Sequence, residues 1–138
     1  MNRILLASHG PLARGMKETL AMLAGENDRI EVLCAYVDER SRDVSKLIDD
    51  WESNLTPDDW WIVVTDVFGG SVNNEFLLRL GHGSFALVAG MNLSLLVELS
   101  ITLDTLDEET LERAIESSRD SIRRCQLMSS HDEEDEDF

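Results

Sequence analysis

The sequence predicts an α/β fold: a single-domain open parallel sheet in strand order 2-1-3-4, with helices on both faces. Three observations predict it. Four short segments, Arg3–Ser8, Ile30–Val37, Trp60–Asp66 and Ser84–Ala89, are mostly apolar rather than alternating, as parallel strands covered on both faces are. A segment with apolar residues at helical spacing follows each of them. Turn and cap residues mark the junctions. Right-handed crossovers limit the topologies that remain.

The first helix is predicted from near Pro11, which suits a first helical turn because its missing N–H is not needed there. Leu12, Met16, Leu20 and Leu23 form its apolar face and Gly25 its C-terminal stop. The second runs from about Ser41 to Ser53, with Val44, Leu47, Ile48, Trp51 and Leu55 in phase, and ends at Thr56-Pro57. The third runs from about Ser71 to Leu80, with Val72, Phe76, Leu77 and Leu80 inward, before the turn "GHG" at 81–83. The fourth, Leu93 to Leu103, is apolar nearly all round and is expected to be buried, in part against a partner subunit. The last begins near Thr105, which has capping-box spacing to Glu108, and continues through Leu111, Ile115, Ile122 and Cys125. Trp51, Trp60 and Trp61 are read as core or boundary residues. No clear fifth strand follows; Ser100–Leu103 is the one loose candidate.

At 138 residues and 43% hydrophobic, the chain can bury roughly 70% of its unfolded surface in one core. No apolar run approaches the ~18 residues of a membrane span, and "MNRILLASHG" lacks the form of a signal peptide. The expectation is a cytoplasmic protein without direct membrane insertion. Cys34 and Cys125 lack metal-ligand spacing and read as ordinary thiols. A net charge of −16 excludes nucleic acid and anionic membrane surfaces as partners and admits a protein with a basic face. Six of the acids form "DEEDED", Asp132 to Asp137, so 1–125 is read as the domain and 126–138 as an acidic, disordered tail.

In open parallel sheets, ligands bind at the carboxyl ends of the strands where strand order reverses. His9 is the first residue past strand one and Asp66 closes strand three. In order 2-1-3-4 these strands are neighbours, so both residues are expected in one crevice. Asp66 can then accept from one ring nitrogen of His9 and leave the other as a neutral nucleophile. In "DVFGGSVNN", Gly69 and Gly70 let backbone amides come close to a ligand, and Ser71 adds a hydroxyl. A histidine oriented by an acid and surrounded by donors suits transfer of a phosphoryl group, with no metal or other cofactor required. Ser8 and His9 are adjacent in a strand and point to opposite faces, so they form no dyad. No G-x-G-x-x-G, Walker loop or G-x-S-x-G elbow is present. His82, in the glycine-flanked turn, and His131, in the tail, read as bystanders.

Three segments together resemble the IIA domains of the mannose-type phosphoenolpyruvate–sugar phosphotransferase system, over about residues 1 to 125: "SHGPLARGMKETLAMLAG", "TDVFGGSVNN" and "LVAGMNLSLLVE", the last carrying Gly90, Asn92 and Glu98. The resemblance implies that His9 accepts a phosphoryl group from the phosphocarrier HPr and passes it to a histidine of a IIB component on a separate chain, with Asp66 as its hydrogen-bond partner. Ser71 and the Gly69–Gly70 amides would hold the group. It also implies a homodimer. The sequence departs at Val72, where the family has proline in Gly-Gly-Ser-Pro; first-turn proline is optional, so a loss of rigidity is expected rather than of function. Two other outputs fit the same pattern. One is a regulatory module whose His9 phosphorylation state controls binding to another protein. The other is the phosphocarrier subunit of dihydroxyacetone kinase, whose glycine turn is shorter. A flavodoxin-like domain binding a nucleotide or flavin has little in the sequence to support it.

Overall fold

The computed structural model describes residues 1–81 and 84–127 of the chain. The expectations for His82, His131 and the acidic run Asp132 to Asp137 fall outside the described residues. Four parallel strands, β1 (Asn2–His9), β2 (Ile30–Ala35), β3 (Trp60–Thr65) and β4 (Phe85–Ala89), form one sheet in the order β2-β1-β3-β4. The helices are α1 (Leu12–Ala24), α2 (Val44–Glu52), α3 (Ser71–Leu78), α4 (Leu93–Ile101) and α5 (Glu108–Asp120).

The continuous apolar strands are explained by two cores, one on each face. Ile4, Leu6, Ile62 and Val64 pack beneath Ala13 and Leu20 of α1, Leu95, Leu96 and Leu99 of α4, and Leu111 and Ala114 of α5. Their neighbours Leu5, Ala7, Trp61 and Val63 pack against Val44 and Ile48 of α2 and Val72 and Phe76 of α3. The period of two along each strand sends alternate residues to opposite faces, and both faces are covered. On the α2–α3 side, Trp51 meets Trp61, Phe76 and Phe85 edge-on, with centroids 5.4, 5.7 and 6.1 Å away. Trp61 is thus a core residue, while Trp51 packs at the boundary of the same core and Trp60 at the boundary of the other.

Several predicted details are corrected. In α1 the buried stripe runs through Ala13, Met16 and Leu20, while Leu12 and Leu23 are exposed. Those two leucines lie on the flank of the helix, rotated about 80° from the Ala13–Leu20 direction. In α3 a similar rotation leaves Leu77 exposed, and the helix ends at Leu78, before the exposed Leu80. The expected capping box at Thr105 is displaced. Thr105 closes a 3₁₀ turn by donating its amide to the Thr102 carbonyl, and Asp107 caps α5 reciprocally with Thr110. The helix stops at Asp120, so Ile122 and Cys125 lie beyond it, exposed. Ser100 and Ile101 end α4 and Leu103 enters the 3₁₀ turn, so Ser100–Leu103 is no strand. In α4, Leu95, Leu96 and Leu99 are buried as expected, but Ile101 remains 70% exposed.

Among the described residues, no helix is long and apolar enough to cross a membrane, and no cluster of three or more His, Cys, Asp or Glu could hold a metal ion.

Candidate functional site

Strand order reverses between β1 and β3, and the two strands run in register with Ala7 opposite Thr65. The next residues at the carboxyl end are Ser8 and His9 on one strand and Asp66 on the other. Ser8 is fully buried. Its Oγ accepts from the Ala13 amide at 2.8 Å and donates to the Gly10 carbonyl at 3.1 Å. Ser8 therefore closes the turn into α1 and takes up one of that helix's first-turn amides. His9 projects outward instead, with its side chain 41% exposed.

One carboxylate oxygen of Asp66 holds His9 twice. Oδ2 accepts from the His9 backbone amide at 2.8 Å and lies 2.9 Å from Nδ1 of the ring. Oδ1 accepts from the Val67 amide at 3.0 Å. The Asp66 side chain is only 6% exposed. Burial pushes its carboxyl upward, but the His9 amide, the His9 ring and the Val67 amide together outweigh it and hold the group below the ordinary carboxylate range. An ionised Asp66 has no proton to donate, so Nδ1 carries a hydrogen, and in the neutral ring Nε2 presents its lone pair.

Nε2 faces Ser71, whose Oγ is 3.1 Å away. Ser71 is the first residue of α3, which starts without a side-chain cap. The first-turn amides of a helix have no intrahelical acceptor, and the helix dipole favours negative charge there. The loop that brings α3 to His9 is fixed at both ends. Buried Thr65 donates its hydroxyl to Asn73 Oδ1 at 2.7 Å, and Asn74 Nδ2 donates to the Gly69 carbonyl at 3.1 Å. Gly69 sits at φ 82°, where a side chain would be strained.

Gly70 serves a different need. A Cβ there would lie 3.1 Å from His9 Cε1 and 3.3 Å from the Val67 carbonyl oxygen, so any larger residue crowds the ring. Of the two predicted glycine donors, the Gly70 amide is already engaged by that carbonyl at 3.2 Å, while the first-turn amides of α3 have no intrahelical acceptor. Gly70→Ala is expected to displace the His9 ring by a few tenths of an ångström. We expect phosphoryl acceptance to slow roughly 10-fold, given how steeply rate depends on such alignment, with an unchanged circular dichroism spectrum. Acceptance at the wild-type rate would show that the ring position is not critical.

Sequence patterning does not single out one further neighbour of His9. Tyr36 follows β2, one residue past Ala35, which pairs with His9. Its hydroxyl is 2.8 Å from Ser71 Oγ, and its ring stacks on His9 with centroids 5.6 Å apart. The pairing register of order 2-1-3-4 brings it to the crevice, but the apolar run "IEVLCAYV" makes it look like part of the strand. Asn92 is structural. Its Oδ1 caps α4 by accepting from the Leu95 amide at 3.0 Å, and it also accepts from Ser118. Val72 is fully buried in the first turn of α3.

The family model of the phosphotransferase system (PTS) fructose IIA component matches residues 3–117. The chain belongs to this IIA family. Solved structures agree. A protein assigned as a phosphoenolpyruvate-dependent sugar PTS permease from Klebsiella pneumoniae is 34% identical with a TM-score of 0.84, over 90% of each chain. A PTS IIA protein associated with the fucose utilization operon of Streptococcus pneumoniae is 32% identical with a TM-score of 0.70, over 89% of this chain and 92% of that one. The mannose/sorbose-specific IIA subunit from Enterococcus faecalis shares the fold, at 22% identity and a TM-score of 0.72, over 93% of this chain and 97% of that one. As a IIA component this protein is part of the sugar phosphotransferase system, and membership implies a phosphotransferase role in general.

Proposed function

We propose that this IIA component carries a phosphoryl group on Nε2 of His9, taking it from phospho-HPr and passing it to a IIB component. The observation that carries the reading is the His9–Asp66 pair at 2.9 Å, which in the neutral ring turns the Nε2 lone pair toward Ser71 and the uncapped start of α3. In the first step the Nε2 lone pair forms a bond to phosphorus. The donor's P–N bond breaks, and its electron pair returns to the donor imidazole. The Nδ1 proton stays in place. With both nitrogens substituted the His9 ring is cationic, and Asp66 stabilises that charge. In the second step a IIB histidine attacks the phosphorus and the Nε2 pair returns to His9. Ser71 and the first-turn amides of α3, brought close by Gly69 and Gly70, hold the phosphoryl oxygens.

Two further features support protein partners. Val67 and Phe68, on the loop after Asp66, are exposed apolar residues beside the site, Phe68 being 83% exposed. A net charge of −16 favours encounter with a basic docking face. We further propose a homodimer, supported by Ile101, an apolar residue of α4 left 70% exposed; sedimentation equilibrium is expected to give twice the chain mass, and a single-chain mass would refute it.

The experiment is transfer from phosphoenolpyruvate through enzyme I and HPr, followed by intact mass. One added phosphoryl group, labile in acid, is expected. No added mass from a donor shown to be charged would refute the carrier reading.

A further inference from the structure

Tyr36 has no part in the steps above, yet independent features converge on it. Its hydroxyl touches Ser71, and its ring lies against His9 at 29° between planes. Its backbone sits at φ 64°, and among the described residues it is the non-glycine residue with positive φ. That conformation is unfavourable for a side chain with a Cβ and persists only where the surroundings impose it. Here they do. The Tyr36 amide donates to the Ser41 carbonyl at 2.9 Å, and Ser41 Oγ accepts from the amides of Val37 and Asp38, each at 2.9 Å. A glycine would make this turn without strain, but only a residue with a long hydroxyl-bearing ring reaches Ser71.

We propose that Tyr36 is a positioning residue for phosphoryl transfer, fixing the Ser71 hydroxyl so that its proton points at Nε2 of His9. This rests on the reading of His9 as the phosphoryl acceptor. The hydrogens can be assigned in turn from Asp66. The carboxylate only accepts, so Nδ1 donates to it, and in the neutral ring Nε2 has only a lone pair to offer. Ser71 O–H must therefore donate to Nε2, across 3.1 Å. Ser71 Oγ then offers a lone pair to Tyr36, and Tyr36 O–H donates, across 2.8 Å. Every donor in the row from Tyr36 to Asp66 points the same way. The tyrosine occupies the serine oxygen as a donor and leaves the serine proton one direction to point. As phosphorus reaches Nε2, the Ser71 O–H keeps its proton and turns its hydrogen bond from the ring nitrogen to a phosphoryl oxygen, while the tyrosine still holds the serine. The stacked ring adds a second effect, because an aromatic face attracts the cation that His9 becomes when phosphorylated.

The test is single-turnover transfer from phospho-HPr to the full chain at varied donor concentration, for wild type, Tyr36→Phe, Ser71→Ala and the double variant. Tyr36→Phe keeps the ring and loses the hydroxyl. It is expected to slow the transfer step roughly 5- to 10-fold, about the worth of one neutral hydrogen bond, with the concentration for half-maximal rate and the melting temperature unchanged. The double variant is expected to be no slower than Ser71→Ala alone, because the tyrosine acts through the serine. A Tyr36→Phe rate equal to that of a labelled wild type would overturn the role of Tyr36 and leave His9 standing. A double variant slower by the product of the two single effects would overturn action through Ser71. A wild type that takes no label from charged HPr would overturn both readings.

Discussion

His9→Ala is expected to accept no phosphoryl group from charged HPr and to fold as the wild type does. The side chain is half exposed and sits outside both cores, so its loss is expected to change stability by no more than about 0.5 kcal/mol. Asp66 keeps the His9 backbone amide and the Val67 amide as donors in the variant, so no buried carboxylate is left bare. Chemistry and folding therefore separate cleanly at this position. Intact mass after incubation with the donor, beside a thermal melt, reads both. A fully labelled variant with a wild-type melt would move the acceptor to another residue.

Asp66→Asn is expected to produce the second largest effect. The Asp66 carboxylate accepts three hydrogen bonds, from the His9 amide, the His9 ring and the Val67 amide. An amide has one acceptor oxygen and one donor nitrogen. If its nitrogen faces His9, it meets the His9 amide donor and demands a lone pair from Nδ1, which moves the ring proton to Nε2 and disarms the nucleophile. If it faces Val67, it meets that amide instead. By analogy with other histidines held in the wrong tautomer, transfer is expected to slow roughly 100-fold or more. A wild-type rate would reduce Asp66 to a turn residue. The variant also carries a pH signature. Because the folded carboxyl is held below its ordinary range, Asp66 stabilises the fold above that range. This contribution disappears as pH falls through the lowered value. Wild type is expected to lose stability on acidification by more than Asp66→Asn does, measured by urea denaturation at a series of acidic pH values.

The sheet is legible in the sequence because its strands are short, apolar on both faces and separated by turn residues. Adjacent apolar residues such as Ile4 and Leu5, or Ile62 and Val63, point to opposite faces of a strand, and both members of each pair are buried. His9 and Asp66 are legible for a topological reason, since one ends β1, the other directly follows β3, and the order makes those strands neighbours. Helix phase is less so. A stripe through Ala13 and Leu20 and one through Leu12 and Leu23 differ by a rotation of about 80°, and hydrophobicity favours the leucines although packing selects the smaller alanine next to the sheet. Strand alternation turns Ser8 away from His9, but its two hydrogen bonds at the start of α1 depend on the turn at Gly10. Tyr36 is hidden because its reach to Ser71 depends on a left-handed residue where nothing in the composition demands one. Gly70 stands out in the sequence for the freedom of its backbone, whereas its structural requirement is room for the His9 ring.

The most direct test of the account is the identity of the phosphorylated nitrogen. With ¹⁵N-labelled histidine and charged HPr, one-bond coupling between phosphorus and nitrogen assigns the bond. The account predicts coupling to Nε2 of His9, with Nδ1 still protonated and hydrogen-bonded to Asp66. Coupling to Nδ1 would contradict it, because that nitrogen would have had to leave the carboxylate on which the proposed mechanism depends.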